Sequence, residues 1–203
     1  MSYRTDLRVE RSKKLIKQAF LDLLEEQNFE EITIKDIASR AMVSRKTFYV
    51  YYATKMELYE EIVQEYLQKL IPDRSQWNRK RQREDPEGVL REKLIFVLQQ
   101  LNQERKVYRI LIYDTGSHLF QTRLKRFIQE EVLAEIQQAE LLRLPKDYPV
   151  KLYEMQSYAI IYSFLSWWVA QYSVNVEEMA DIILEVLGSS GLIRLHLSKK
   201  EKV

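Results

Sequence analysis

Residues 33–58 of this chain read TIKDIASRAMVSRKTFYVYYATKMEL. Thr33 and Ser44 each stand where a helix N-cap is expected, and Asp36 completes a capping box with Thr33, with Asp in place of the usual Glu. The spacing predicts a short helix after Thr33, a tight turn, and a second short helix after Ser44. Thr54 and Glu57 form a second capping box, which predicts a longer helix from Lys55 to about residue 71.

The charge in this stretch is one-sided. From Ala38 to Met56 there are four cations and no acid, although the whole chain has 32 Lys and Arg against 30 Asp and Glu. The four cations are Arg40, Arg45, Lys46 and Lys55. A small surface without carboxylates is what a phosphate backbone requires, whereas the net charge of +2 does not indicate nucleic acid by itself.

The composition indicates a helical protein. Gly and Pro number four each, and apolar residues recur at helical spacing nearly throughout, which predicts an all-α chain of about nine helices. The absence of cysteine excludes disulfides and thiolate metal sites. The polar N-terminus lacks the apolar core of a signal peptide, and the most apolar run, 159–170, is too short to span a bilayer. These patterns predict a cytoplasmic protein without a membrane span.

The segment Pro72–Gly88 interrupts the helical pattern. It contains two prolines and the basic run Arg79–Arg83. We interpret it as a solvated linker between a small N-terminal and a larger C-terminal domain, with DNA contact by the basic run as the alternative. The other predicted helices cover about residues 6–27, 89–103, 107–113, 118–142, 150–172 and 176–195.

The N-terminal pattern resembles the DNA-binding domain of the TetR family of bacterial transcriptional regulators (TetR/AcrR type), over about residues 10–60. The resemblance rests on residues at fixed spacing: Thr33, Ile34, Ile37, Ala38, Ala41, Val43, Ser44, Thr47, Phe48, Tyr49, Tyr51, Lys55 and Leu58. Met42 replaces the usual turn glycine, and Tyr52 the usual phenylalanine. The resemblance implies a three-helix helix-turn-helix DNA-binding domain over residues 1–55 and a helical regulatory domain, for ligand binding and dimerisation, over residues 56–203.

The resemblance also implies the DNA contacts. Arg45, Lys46 and Thr47 would contact bases or nearby phosphates, and Tyr49, Tyr51 and Lys55 would hold phosphates. Thr33 and Ser44 stand at helix N-termini, whose free backbone N–H groups bind anions.

Aromatic residues are frequent in the C-terminal region, and tyrosine is in excess over phenylalanine. Tyr158 and Tyr162 lie one turn apart and are candidates to point their hydroxyls into a ligand cavity; the alternative is tyrosines bound to backbone carbonyls or at the surface. The full predicted pocket is Tyr108, Phe127, Tyr158, Tyr162 and Trp167. The last two helices carry more apolar surface than one core uses, which indicates a homodimer interface. The residues predicted there are Trp168, Tyr172, Met179, Ile183, Val186 and Leu187.

The sequence therefore predicts a repressor that binds a palindromic double-stranded DNA operator as a homodimer under the control of a small-molecule effector. No cofactor, metal or catalytic residue is expected, since there is no glycine-rich phosphate loop, no HExxH motif and no cysteine nucleophile. The alternative is a co-regulator of the same fold that acts through protein partners without binding DNA. Some TetR-like activators of dihydroxyacetone-kinase operons act in this way, and the adjacent pair Trp167 and Trp168 resembles that branch.

Overall fold

The structure is a computed structural model that describes residues 2–71, 85–113, 118–133, 147–171 and 174–189. Within these ranges the chain forms nine α-helices, one of which continues as a π-helix, and no strand, so the all-α prediction is confirmed. In chain order the helices are α1 (Ser2–Glu26), α2 (Ile34–Arg40), α3 (Arg45–Tyr51), α4 (Lys55–Lys69), α5 (Pro86–Gln103), α6 (Arg105–Tyr113), α7 (Leu119–Phe127, then π-helical over Ile128–Leu133), α8 (Val150–Gln171) and α9 (Val176–Ser189).

The chain divides into two compact units, of which the first combines Met1–Tyr66 with Lys106–Gln121. Helix α1 packs on α2, and α2 packs on α3. The core of this unit contains three aromatic rings in mutual contact, with centroids of Phe20, Phe29 and Tyr59 5.3–6.0 Å apart. Burial of such rings supplies much of the driving force for a small helical unit.

Helix α6 belongs to this first unit. The Tyr108 hydroxyl donates to the carbonyl of Tyr66 at 2.8 Å, and the two rings meet edge to face at 5.5 Å. Lys106 forms an ion pair with Glu25 at 2.7 Å. The compact units thus divide the chain differently from the domains expected at residues 1–55 and 56–203, which stay a prediction about function.

The second unit combines Leu67–Arg105 with Thr122–Val203. Helix α9 packs against α5 and α8, and Arg91 holds Asp181 through two hydrogen bonds of 2.6 and 3.1 Å. The turn from α8 to α9 is closed by Arg105, which donates to the carbonyls of Trp168 and Val169. Because these carbonyls lie at the C-terminus of α8, where helical partners are missing, the guanidinium replaces the absent donors.

Several helix boundaries differ from the predicted ones. Helix α5 begins at Pro86 rather than near residue 89, because the Asp85 carboxylate accepts from the amide of Gly88 at 2.9 Å and proline suits a first helical position. At the start of α4 the Glu57 carboxylate accepts from the amide of Ala53, at 2.7 Å, rather than from that of Thr54. Residues 72–84 lie outside the described ranges, so the linker and its basic run stay predictions.

Candidate nucleic-acid interface

The N-terminus of α2 is closed by the predicted capping box. The amide of Asp36 donates to Oγ1 of Thr33 at 3.2 Å, and the amide of Thr33 donates to Oδ2 of Asp36 at 3.0 Å. Hydrogen bonds from the side chain and backbone of Thr33 lower the pKa of the Asp36 carboxyl group. The carboxylate therefore occupies this end of α2, and a phosphate contact at Thr33, which stays a prediction, would form beside a negative charge.

The turn between α2 and α3 is built around Met42. Its φ is 55°, in the left-handed region, and its side chain is 94% exposed. The amide of Met42 donates to the carbonyl of Ser39 at 3.1 Å, and the amide of Val43 donates to that of Ala38 at 3.0 Å. This hydrogen-bond pattern is a Schellman motif, in which Met42 holds the left-handed position that glycine usually occupies.

Replacing Met42 by glycine is expected to raise the free energy of unfolding by about 0.5–1 kcal/mol, because glycine adopts a positive φ without the Cβ penalty. The gain is partly offset by the greater freedom of glycine in the unfolded chain. Urea unfolding followed by circular dichroism measures it, with Met56→Gly, inside α4, as a control that should destabilise. An M42G protein less stable than the parent would contradict the strain argument.

Helix α3 begins at the predicted N-cap Ser44. The amide of Thr47 donates to Oγ of Ser44 at 3.0 Å, and the two hydroxyls lie 2.9 Å apart. Phe48 is fully buried and Tyr52 is 1% exposed, so these two rings fix the rotation of α3 about its axis. A helix of seven residues anchored in this way presents its other side chains at defined angles.

The outward face of α3 carries Arg45, Lys46, Tyr49 and Val50, all of which are exposed. The Tyr49 ring rests edge to face on Phe48 with centroids 5.8 Å apart, which leaves its hydroxyl end outward. Thr47 and Tyr51 are half-buried on the flank of the helix. Val50 is not among the DNA contacts predicted from the sequence, although its spacing of four residues from Lys46 places the two side chains on one face.

Two of the four cations in the acid-free stretch are engaged within the fold. Arg40 makes a bidentate pair with Glu26, with N–O distances of 2.9 and 2.6 Å. Among the described residues, no hydrogen bond or ion pair engages Arg45 or Lys46. The positive charge available to an anion from this stretch is therefore concentrated on the first two residues of α3.

The other engaged cation is Lys55, which the family resemblance predicts to hold a phosphate. Its ammonium donates to three backbone carbonyls of the α1–α2 connection, those of Phe29, Glu30 and Ile32, at 2.5, 3.1 and 2.8 Å. It also lies 4.5 Å from the centroid of the Phe29 ring. An ammonium has only three N–H donors, and all three are used. In this structure Lys55 therefore joins α4 to the α1–α2 connection and has no donor left for a phosphate.

Helix α4 is also joined to α1 by ion pairs. Glu61 accepts from Lys13 at 2.9 Å and from Lys17 at 2.8 Å, and Lys17 also pairs with Glu65 at 2.7 Å. Partial burial opposes the ionisation of Glu61, but the hydrogen bonds and charges of Lys17 and Lys13 outweigh it and lower its pKa. These contacts hold α4 against α1. Helix α1 in turn packs on α2, and α2 packs on α3.

Acid is expected to destabilise the first unit. The pKa values of Asp36, Glu26 and Glu61 are all lowered in the folded protein, so near pH 4 the unfolded state binds more protons than the folded state. Their contribution is complete above about pH 5, the upper end of carboxyl titration in an unfolded chain, and is lost as the pH falls through the folded pKa values. Urea midpoints between pH 3 and pH 7 test this. The Asp36→Asn variant should show a shallower decline, and an equal or steeper one would contradict the assignment.

Two family models match the chain. Residues 16–62 match the model described as bacterial regulatory proteins, tetR family, and residues 89–189 match a transcriptional regulator C-terminal region. The chain belongs to the TetR family. It is a transcriptional regulator, and the prediction that it is not an enzyme is confirmed by the regulators to which it is similar.

The helix-turn-helix region of this TetR-family protein is similar to two curated bacterial proteins. The HTH-type transcriptional regulator YxbF of Bacillus subtilis (strain 168) is 43% identical over 60 residues, 29% of this chain and 16% of that protein. The dhaKLM operon transcriptional activator DhaS of Lactococcus lactis subsp. lactis (strain IL1403) is 33% identical over 66 residues, 32% of this chain and 35% of that one. The matches thus span a minor part of each relative's length.

The chain shares its fold with a solved structure over nearly the whole length of both. A TetR transcriptional regulator from Streptococcus agalactiae 2603V superimposes with a TM-score of 0.73 at 21% identity, covering 92% of this chain and 99% of that one. At this identity the likeness concerns the fold.

Two of the residues predicted for the ligand pocket are in contact. Tyr158 and Tyr162 stack with centroids 5.5 Å apart, and Lys125 lies 5.7 Å from the Tyr158 ring. Tyr108 belongs to the first unit, where its hydroxyl is bound to a carbonyl, and Trp167 is 42% exposed, so the pocket as a whole stays a prediction. Phe127 is buried in the core.

Two buried hydroxyls on α8, those of Tyr153 and Ser157, were not predicted from the sequence as candidate functional groups. The hydroxyl of Tyr153 is buried, and the side chain that interacts with it is the hydroxyl of Ser157. Burial raises the pKa of Tyr153 to about 12. Ser157, one turn further along α8, is 1% exposed. The signal in the sequence was the spacing of four residues between two polar side chains on an otherwise apolar helix face.

The predicted dimer interface needs a correction, because most of its residues form the core of the second unit. Trp168, Met179 and Ile183 are fully buried within one chain, Leu187 is 2% exposed, and Val186 is half-buried. The Trp168 indole N–H donates to the carbonyl of Val174 at 2.7 Å. A side chain already buried in its own subunit has no surface left to give to a second one. Tyr172 lies outside the described residues.

In the described part of the chain, no cluster of His, Asp and Glu side chains is arranged to hold a metal ion. None of the helices described there combines the length with the apolar character that a membrane span needs.

Proposed function

We propose that this TetR-family protein is a cytoplasmic repressor that binds a palindromic operator as a homodimer and is controlled by a small-molecule effector. The observation that carries the proposal is the pair Arg45 and Lys46, exposed on a helix whose rotation is fixed by Phe48 and Tyr52. Exposed cations on a rigid short helix in an acid-free stretch are suited to the major groove and its phosphates.

A second copy of the DNA-binding head, which consists of α1, α2 and α3, supplies the affinity that one head lacks. Helix α3 has seven residues, about 10 Å in length, and fits across a groove about 12 Å wide. It reaches only a few base pairs. Two copies related by a two-fold axis read two half-sites about one DNA turn, or a multiple of it, apart.

The surface available for dimerisation lies on the outer side of α8. Leu152, Met155 and Trp167 are 36%, 54% and 42% exposed. With the exposed small residues Ala159 and Ser163 they form one stripe along the helix, since their spacings keep them within about 120° of one another. Contiguous exposed apolar surface of this kind is typical of a subunit interface.

Replacing Trp167 by glutamate is expected to convert the dimer into a monomer, because a carboxylate buried in an apolar interface loses its hydration without gaining a partner. Sedimentation velocity over a range of protein concentrations measures the change. Gln99→Glu, at an exposed position on α5, is the control and should remain dimeric. A W167E protein that stays dimeric at micromolar concentration would place the interface elsewhere.

The effector is proposed to bind in the second unit. A buried hydroxyl whose described partner is a single serine hydroxyl, as at Tyr153, has capacity left for a hydrogen bond to a polar ligand that reaches it. Helix α4 starts in the first unit and ends in the second, so a ligand that displaces it alters the spacing of the two DNA-binding heads. Such a ligand acts only through its differential affinity for the two conformations, typically about 1–3 kcal/mol of coupling.

The alternative is a regulator that acts through protein partners. Its support is the similarity to DhaS, a protein named as a transcriptional activator. An activator of that kind has no need of unpaired cations on α3, which is why direct DNA binding is the preferred function. The two alternatives differ in one observable, the direct binding of DNA.

Selection from a random duplex pool tests the proposal. The purified protein is incubated with the pool, bound DNA is amplified over several rounds, and the enriched duplex is mixed with the protein for native mass spectrometry. The expected result is enrichment of an inverted repeat with two protomers per duplex. No enrichment in buffer of low ionic strength would favour the partner-mediated function instead.

A further inference from the structure

We infer that Val50 recognises a thymine in each operator half-site by contact with its 5-methyl group. The inference rests on the proposed function, since it assumes that α3 enters the major groove. The rotation of α3 about its axis decides where Val50 points. Val50 lies about 200° around the helix from the fully buried Phe48, and it is 69% exposed.

Val50 shares its face of α3 with Lys46. The two residues occupy the side of the helix opposite the core, so they extend furthest from the unit. A single exposed apolar residue needs no explanation elsewhere on a protein surface. This one lies beside an unpaired cation on a helix whose other outward side chains carry a guanidinium or a hydroxyl.

The floor of the major groove decides what such a side chain can contact. Base edges there present hydrogen-bond donors and acceptors, and the apolar group among them is the 5-methyl of thymine. An isopropyl group placed over a donor or acceptor removes water without replacing its hydrogen bond, which is unfavourable. Over a thymine methyl it buries two apolar surfaces together, which is favourable.

The stiffness of valine strengthens the selection. A β-branched side chain in a helix has one strongly preferred rotamer, so its methyl groups already hold a fixed position before binding. Little side-chain entropy is lost on contact. Because α3 is itself fixed by Phe48 and Tyr52, the position of the isopropyl group relative to the head is determined by the fold.

The test combines a protein variant with a DNA analogue. In the duplex enriched by the wild-type protein, each thymine is replaced in turn by deoxyuridine, which lacks the 5-methyl group, symmetrically in both half-sites. At one position the wild type is expected to bind about three- to tenfold more weakly per half-site. Val50→Ala should lose a similar factor on the thymine duplex and be indifferent to deoxyuridine at that position. Leu15→Ala, at an exposed apolar position on α1, should keep the wild-type sensitivity.

The possible results distinguish failure of the thymine contact from failure of the proposed function. If the wild type enriches a duplex but no deoxyuridine position distinguishes it from Val50→Ala, the thymine contact is wrong and the proposed function stands. If the wild type binds no duplex at all, the proposed function fails and the inference fails with it. Thermal unfolding of the Val50→Ala protein, expected to match the wild type because the side chain is exposed, shows that any loss of binding comes from the contact.

Discussion

Replacing Arg45 and Lys46 together by alanine is expected to weaken binding to the enriched duplex by at least about 100-fold at physiological salt. A dimer loses four cations by this change, and each contact to a base edge or phosphate contributes up to about 1–3 kcal/mol, with about 1.4 kcal/mol for each factor of ten. Fluorescence anisotropy with a labelled duplex gives the ratio of dissociation constants. The loss should come without a change in thermal stability, because neither side chain is engaged in the described part of the fold.

The matched control is the double variant Arg126→Ala and Lys151→Ala. It removes one guanidinium and one ammonium per chain from exposed positions in the second unit. Binding should stay within about threefold of the wild type, because charges that make no contact with DNA act on it only through a screened field. If the control variant loses as much affinity as the α3 variant, the effect is one of total charge and α3 is not the contacting element.

Replacing Lys55 by methionine is expected to lower the free energy of unfolding by about 2–3 kcal/mol. Methionine keeps the length and much of the packing of the side chain but removes the ammonium donor from the carbonyls of Phe29, Glu30 and Ile32, of which that of Phe29 keeps a bond from the amide of Ile32 at 3.3 Å. A lower urea midpoint with an unchanged m-value would show loss of stability without change of the unfolded state. DNA binding by the folded fraction at low temperature should keep the wild-type salt dependence.

Lys46→Met is the matched control for this variant, since it makes the same chemical change on the same unit. It should keep wild-type stability within about 0.5 kcal/mol and lose DNA affinity, the opposite of the pattern expected at Lys55. A Lys55→Met protein of normal stability that binds DNA more weakly with a smaller salt slope would restore the phosphate contact inferred from the family resemblance.

The caps of the head were predictable because their partners are close in sequence. Thr33 and Asp36, like Ser44 and Thr47, are three residues apart, so the pattern alone specifies the hydrogen bonds. The partners of Lys55 lie 23 to 26 residues away, in a connection whose path depends on the packing of α1 on α4. Nothing local to Lys55 distinguishes a lysine bound to carbonyls from one that is free to bind a phosphate.

Helix α8 shows the other limit of periodicity. Trp167 and Trp168 are neighbours about 100° apart around the helix, and apolar residues lie on most of its sides. The pattern therefore does not show which tryptophan faces the core. In the structure Trp168 faces the core: its carbonyl accepts from Arg105, and its indole N–H donates to the carbonyl of Val174. Trp167 is left 42% exposed. For this reason Trp168, predicted at the interface, lies in the core, and Trp167, predicted in the pocket, lies at the surface.

The central claim is that two copies of α3, through Arg45 and Lys46, hold duplex DNA. The most direct test is the slope of log dissociation constant against log salt concentration for the enriched duplex, compared between the wild type and the Arg45→Ala, Lys46→Ala protein. We predict a steep slope for the wild type that becomes shallower in the variant, by up to about 0.9 for each phosphate contact removed. Equal slopes for the two proteins, or wild-type binding that is indifferent to salt, would contradict the account.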